Sequence, residues 1–200
     1  MKNTSTGTKT ISYALKNKPV ITSIVSEEDL TDVLGTSSNI VFLLTGNIFT
    51  LKSITEQIQE AGKLMFVHFD LVEGLGRDAE SVRYLAEVIG IDGLVTTRSN
   101  IIMTAQKLGL ITVQRLFVFD SVSLENGIRI IKSSSPDAIE VLPGIVISRV
   151  IKKLREEMDL PVIAGGLMSD IEDVQVALAS GAIGISTSSK ELWDWQDRHM

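Results

Sequence analysis

Eight short runs of branched aliphatic residues, each followed by a more polar segment with helical spacing, constrain this chain more than any other feature. The runs are Val20 to Val25, Ile40 to Leu44, Leu64 to Asp70, Gly93 to Thr97, Ile111 to Phe119, Ala138 to Leu142, Val162 to Ala164 and Ala182 to Ser186. Short apolar runs rich in Val and Ile read as strands buried on both faces, the condition of a parallel sheet covered by helices. Helical spacing and start signals occupy the gaps at Ser26 to Asp29, Ser53 to Ala61, Asp78 to Ile89, Ser99 to Leu108, Leu124 to Lys132, Ile145 to Met158, Ile171 to Ala179 and from Ser189 onward. Gly35, Gly62, Gly90, Gly109 and Gly181 stand where such helices would end in a left-handed residue.

Eight units in 200 residues leave room in each for a strand of about 5, a helix of about 10 and two short loops. The pattern predicts an α/β fold, a compact single domain closed as a (β/α)8 TIM-type barrel over 19–193, with 1–18 a polar leader and 194–200 a C-terminal tail. The leader carries Lys2, Lys9, Lys16 and Lys18 and no acid, so most of it reads as irregular until Tyr13 to Lys16. An open, doubly wound sheet would show the same alternation. Its support is Gly74-Leu75-Gly76-Arg77-Asp78-Ala79, which fits the dinucleotide pattern G-x-G-x-x-A of an oxidoreductase. Leu71, Val72 and Glu73 separate those glycines from the strand, and no acid closes the next one, so the barrel is the better reading.

Composition removes several classes of function. No apolar run approaches the roughly 18 residues of a membrane span, and the leader has no secretory apolar stretch, so a cytoplasmic protein without membrane contact is expected. The absence of Cys rules out disulfides and thiolate chemistry. A net charge of −6 argues against broad polyanion binding, so any nucleic-acid surface must be local.

In α/β barrels the working groups gather where strands end, because the βα loops form the open mouth. The seventh strand runs into Ala164-Gly165-Gly166-Leu167 and the eighth into Ser186-Thr187-Ser188-Ser189. Glycine lets main chain approach an anion, while amides and hydroxyls at a helix start supply donors. Gly165, Gly166, Ser186, Thr187 and Ser188 are therefore the expected phosphate cradle, built without lysine. Taken singly, the glycines would serve a turn and the serines cap a helix.

Strand alternation places Phe66, His68 and Asp70 on one face, with Asp70 at the mouth and His68 a layer deeper. His68 is either a hydrogen-bonded core residue or a ligand or base. Glu140 interrupts an apolar strand and needs a cation or a hydroxyl-bearing ligand; Arg98 and Arg115, both near strand ends, are the candidate cations. Schiff-base chemistry would require a desolvated lysine inside the barrel, and neither Lys63 nor Lys190 is so placed. His68, Asp70 and His199 do not make a metal set, so no metal and no cofactor are expected. Arg149, Lys152, Lys153 and Arg155 share one helix, either as a solvated face or as a polyanion patch.

Taken in order, His68 to Leu75, Asp92 to Arg98, Gln114 to Phe117, Ile139 to Gly144, Ile163 to Gly166 and Ser186 to Ser188 resemble the glycerol uptake operon antiterminator regulatory proteins of bacteria. The resemblance runs from about Pro19 to Trp193. It implies a regulator, not an enzyme, that senses glycerol 3-phosphate and acts on the leader mRNA of glycerol-utilisation operons to prevent premature termination. With that ligand, Asp70 and Glu140 would accept hydrogen bonds from the glycerol hydroxyls, with Arg98 beside them. RNA contact would need the Arg149 to Arg155 helix, the N-terminal lysines or a patch made by a homodimer. The competing class is a sugar-phosphate isomerase or epimerase, with Asp70 or Glu140 as general base over the same cradle.

Overall fold

Every aliphatic run forms a strand in the structure, a computed structural model that describes residues 5–199. Lys2 of the leader lies outside the described residues. The strands are β1 (Val20–Ile24), β2 (Ile40–Leu43), β3 (Leu64–His68), β4 (Gly93–Thr96), β5 (Ile111–Phe117), β6 (Ala138–Leu142), β7 (Val162–Gly165) and β8 (Gly184–Thr187). The helices are α1 (Thr6–Leu15), α2 (Leu30–Gly35), α3 (Leu51–Glu60), α4 (Ala79–Tyr84), α5 (Ser99–Lys107), α6 (Ser121–Ser134), α7 (Ile147–Glu157), α8 (Ile171–Ser180) and α9 (Lys190–His199). All neighbouring strands pair in parallel, and β8 returns to β1 through Val20↔Ile185, Ile21↔Ser186 and Thr22↔Thr187. That closure makes the sheet a barrel and removes the open-sheet reading. No helix among the described residues is long and apolar enough to cross a membrane.

Strand alternation divides the core in two. Val20, Val41, Val67, Leu94 and Ile139 point outward beneath the helices, while Ile21, Phe42, Phe66, Val95, Val113 and Ile163 fill the lumen. Phe42 and Phe66 pack with ring centroids 5.7 Å apart, and any Cβ at Gly93 would overlap the Phe66 ring. Each such fully buried side chain contributes about 1.5–3 kcal/mol, so the lower lumen anchors the barrel as a packed core.

The leader departs from expectation. Thr6–Leu15 is helical, with Ile11, Ala14 and Leu15 buried in the lumen cluster at the base of the barrel. Its lysines and lack of acid suggested an irregular segment, but the apolar residues recur at i, i+3 and i+4 and find a ready cover in the open barrel end. Ser5 caps the helix by accepting from Thr8 N at 3.0 Å, and it also donates to Asp137. Asp137 in turn accepts from the Thr112 amide and hydroxyl, both at 2.9 Å, so α1 is staked to the β5–β6 end of the base.

Three smaller differences follow from local chemistry. β3 stops at His68, and a 3-10 turn over Phe69–Leu71 replaces the expected strand end. Gly35 ends α2 without a positive φ, unlike Gly62, Gly90, Gly109 and Gly181. Beyond Trp193, α9 continues to His199 because Gln196 is buried against β1, its Oε1 accepting from Val20 N at 2.7 Å.

Candidate functional site

Two residues above the apolar layer, the lumen turns polar. On the same face of each strand, Ile21 is followed by Ser23, Phe66 by His68, Val113 by Arg115, Ala138 by Glu140, Ile163 by Gly165 and Gly184 by Ser186. The period of two therefore delivers these side chains to the mouth.

Arg115 and Glu140 are register partners on β5 and β6, and Arg115 Nε donates to Glu140 Oε2. Glu140 has no exposed surface, and its second oxygen accepts from Ser186 Oγ at 2.5 Å. A buried carboxylate is tolerable only with such partners. Gly165 makes the arrangement possible, since a Cβ there would collide with both Glu140 Oε1 and Ser186 Oγ. Of the two cations considered for Glu140, the structure selects Arg115.

Above this network lies a cavity of about 400 Å³ lined by Arg115 and Leu142, by residues 166–169 and 186–189, and by Ser23 and Leu44. The loops after β7 and β8 are tied together: Thr187 Oγ1 donates to the Met168 carbonyl at 2.8 Å and accepts from Ser189 N at 3.0 Å. The Gly166 carbonyl accepts from Gly144 N at 2.8 Å. Gly166 and Leu167 are both left-handed, with φ of 73° and 57°. For leucine that conformation costs roughly 1–2 kcal/mol. Leu167 is 68% exposed, so its own burial does not offset the strain. Strain of this kind gathers where a loop is shaped for a ligand.

Of the expected phosphate residues, Gly166, Ser186, Thr187 and Ser188 line the cavity. Gly165 sits behind it as the space that admits Glu140. The hydroxyls of Ser186 and Thr187 are engaged with Glu140 and Met168, so they shape the wall in addition to facing it.

Asp70 and Arg98 come together elsewhere on the rim. Arg98 Nε donates to Asp70 Oδ1 and Thr96 Oγ1 to Asp70 Oδ2, both at 2.6 Å. Thr96 lies on the face opposite Val95, so the turn after His68 has carried Asp70 off the lumen face predicted for it. Arg77 holds that turn by donating to the carbonyls of Asp70 at 2.8 Å and Phe69 at 3.2 Å. Desolvation pushes the Asp70 carboxyl up, but the bonds from Thr96 and Arg98 outweigh it and leave it below its ordinary value. Neither Asp70 nor Arg98 lines the cavity.

His68 stays on the lumen face, buried, and its Nδ1 has no partner among the described residues. Burial foremost, then the charge of Arg115, lowers its pKa to about 4, so it is neutral near pH 7. The two lysines set aside in the sequence are both engaged away from the cavity. Lys63 donates to the Ser38 carbonyl at 2.9 Å, and Lys190 pairs with Asp32 at 2.7 Å and Asp29 at 2.9 Å. On α7, Lys153 pairs with Glu125 at 2.9 Å and Arg155 donates to the Gly181 carbonyl at 2.6 Å, which favours the solvated-face reading.

The residue that sequence reasoning under-weighted is Arg115, considered only as a partner for Glu140. Its signal was available: Arg115 has the lumen parity of Val113 and stands one layer nearer the mouth.

Fold and cavity together define a class: a (β/α)8 barrel with a small polar cavity over its last strands. Residues 20–193 match the family described as "Glycerol-3-phosphate responsive antiterminator", and the chain belongs to that family. It is similar to the glycerol uptake operon antiterminator regulatory protein of Listeria monocytogenes, at 36% identity and a TM-score of 0.85 over 89% of this chain and 96% of that one. A glycerol uptake operon antiterminator-related protein of Thermotoga maritima matches at 33% identity and a TM-score of 0.79, over 88% of this chain and 98% of that one. Escherichia coli YgcP is 33% identical across 90% of this chain and 94% of its own length. Barrel enzymes such as aldolases and an epimerase match at only 11–16% identity and share the fold alone.

Proposed function

We propose that the mouth cavity binds glycerol 3-phosphate, and that its occupancy governs action on the leader mRNA of glycerol-utilisation operons in the cytoplasm, preventing premature termination without turnover. One observation carries this reading. In a family described by its response to that metabolite, the loops after β7 and β8 converge on a single cavity of about 400 Å³ and are joined by the Thr187–Met168 bond.

The phosphate rests against the main chain of Gly166 and the turn at Thr187 and Ser188 that opens into α9, with Gly165 leaving room for the layer beneath. The glycerol hydroxyls turn inward. Glu140 Oε1 accepts from a ligand hydroxyl through its second lone pair while keeping the bond from Ser186, and the Asp70–Arg98 pair forms the rim on the β3–β4 side. Neither metal nor cofactor enters this scheme.

A ligand shifts a conformational equilibrium only by binding one state better than the other. The metabolite therefore favours whichever arrangement of the mouth loops, or of a homodimer built on them, contacts RNA. The net charge of −6 confines that contact to a local patch.

The test is a gel-shift assay on glycerol-operon leader RNA with and without glycerol 3-phosphate, at two salt concentrations. A ligand-dependent shift that weakens with salt is expected. RNA binding indifferent to the metabolite, or no binding in either condition, contradicts the reading.

A further inference from the structure

Arg115 is the one charged side chain in the cavity wall among the described residues. Its side chain is only 11% exposed. Among the described residues its one hydrogen bond runs through Nε to Glu140. A guanidinium carries five N–H donors, so the four on the two Nη atoms have no acceptor among the described residues. Neither Nη is sealed off among the described residues, so both open onto the cavity, where an anion can take the donors that solvent otherwise meets.

The geometry narrows what that acceptor is. Nε is pinned by a carboxylate that is itself fully buried and held from its other oxygen by Ser186. The plane of the guanidinium is therefore fixed from behind, and the Nη pair forms a fork suited to two oxygens of one anion. The rest of the wall, from Gly166 to Ser169 and from Ser186 to Ser189, contains no carboxylate that would compete.

We propose that Arg115 is the specificity-determining residue of this cavity and that its Nη fork takes two oxygens of the ligand's phosphate. The inference rests on the ligand reading above and adds to it a charged clamp that the glycine and serine loops lack. It makes the phosphate indispensable: glycerol does not bind, and lysine does not replace the arginine, because a point charge lacks the fork.

The test is calorimetric titration of glycerol 3-phosphate, glycerol and inorganic phosphate into the wild-type chain, Arg115→Lys, and the double variant Arg115→Gln/Glu140→Gln. The double variant removes both charges together, so no unpaired ion is left buried, and melting curves confirm that each protein is folded. Expected are no heat with glycerol, at least a tenfold loss of affinity for glycerol 3-phosphate in Arg115→Lys, and at least a hundredfold loss in the double variant. Affinity within threefold of wild type in either folded variant overturns the clamp. A wild-type chain blind to glycerol 3-phosphate but binding inorganic phosphate through Arg115 overturns the ligand reading and keeps the clamp; blindness to both overturns both.

Discussion

The Ser186 hydroxyl donates to Glu140 Oε1 at 2.5 Å, joining β8 to β6 across the top of β7. The strand between them makes this possible by presenting Gly165 at the crossing point, where a Cβ would overlap both partners. A buried carboxylate, a hydroxyl and a missing side chain thus form one unit on three strands.

Gly165→Ala is therefore expected to lower stability by about 1–3 kcal/mol, the usual penalty of overpacking, and to weaken glycerol 3-phosphate binding by displacing the cavity floor. Melting curves and ligand titration check it. Unchanged values in both would mean that the Glu140 carboxylate relocates freely.

Gly166→Asp has a different signature. The position is left-handed, which Asp adopts more readily than most residues, so the strain is of the order of 1 kcal/mol. The new carboxylate faces the place assigned to phosphate, and affinity should fall at least tenfold while the fold persists. Retained affinity would move the phosphate away from this loop.

His68 sets an acid limit on stability. Its ring titrates near 6.5 when unfolded and about 4 when folded, so the unfolded chain binds more protons between those values. The folded state keeps the full contribution above about pH 6.5 and loses roughly 3 kcal/mol of it as pH falls to 4. Urea unfolding at pH 7.5 and 5.0 measures the slope. His68→Gln should flatten it, and an undiminished slope in that variant would assign the effect to other groups.

Leu15 tests the base of the barrel. It is 1% exposed and belongs to the lumen cluster, so Leu15→Ala should cost about 2–5 kcal/mol in chemical denaturation. Ligand affinity should hold, because the substitution lies at the opposite end of the lumen. A loss below about 1 kcal/mol would show that α1 merely rests on the barrel.

The strands were legible in the sequence because a parallel barrel buries both strand faces, so Val20 to Ile24 or Val162 to Gly165 need no partner information to be read. What could not be read depended on partners distant in the chain. Ile11 and Leu15 gain meaning only against a closed barrel end, and Asp70 leaves the lumen face because Arg77 and Thr96 hold the turn that carries it. The loops after β7 and β8 were readable as glycine and serine turns, yet the use of Gly165 as space for Glu140 required the register of β6, β7 and β8. Arg115 was visible as a strand residue, while the freedom of its Nη groups emerges only from counting their neighbours in three dimensions.

A crystal of the chain soaked with glycerol 3-phosphate examines the cavity most directly. Expected is phosphate density between the main chain of Gly166 and Ser188 and within hydrogen-bond reach of the Arg115 Nη atoms. An empty cavity, with the metabolite bound at another place on the chain, would contradict the assignment.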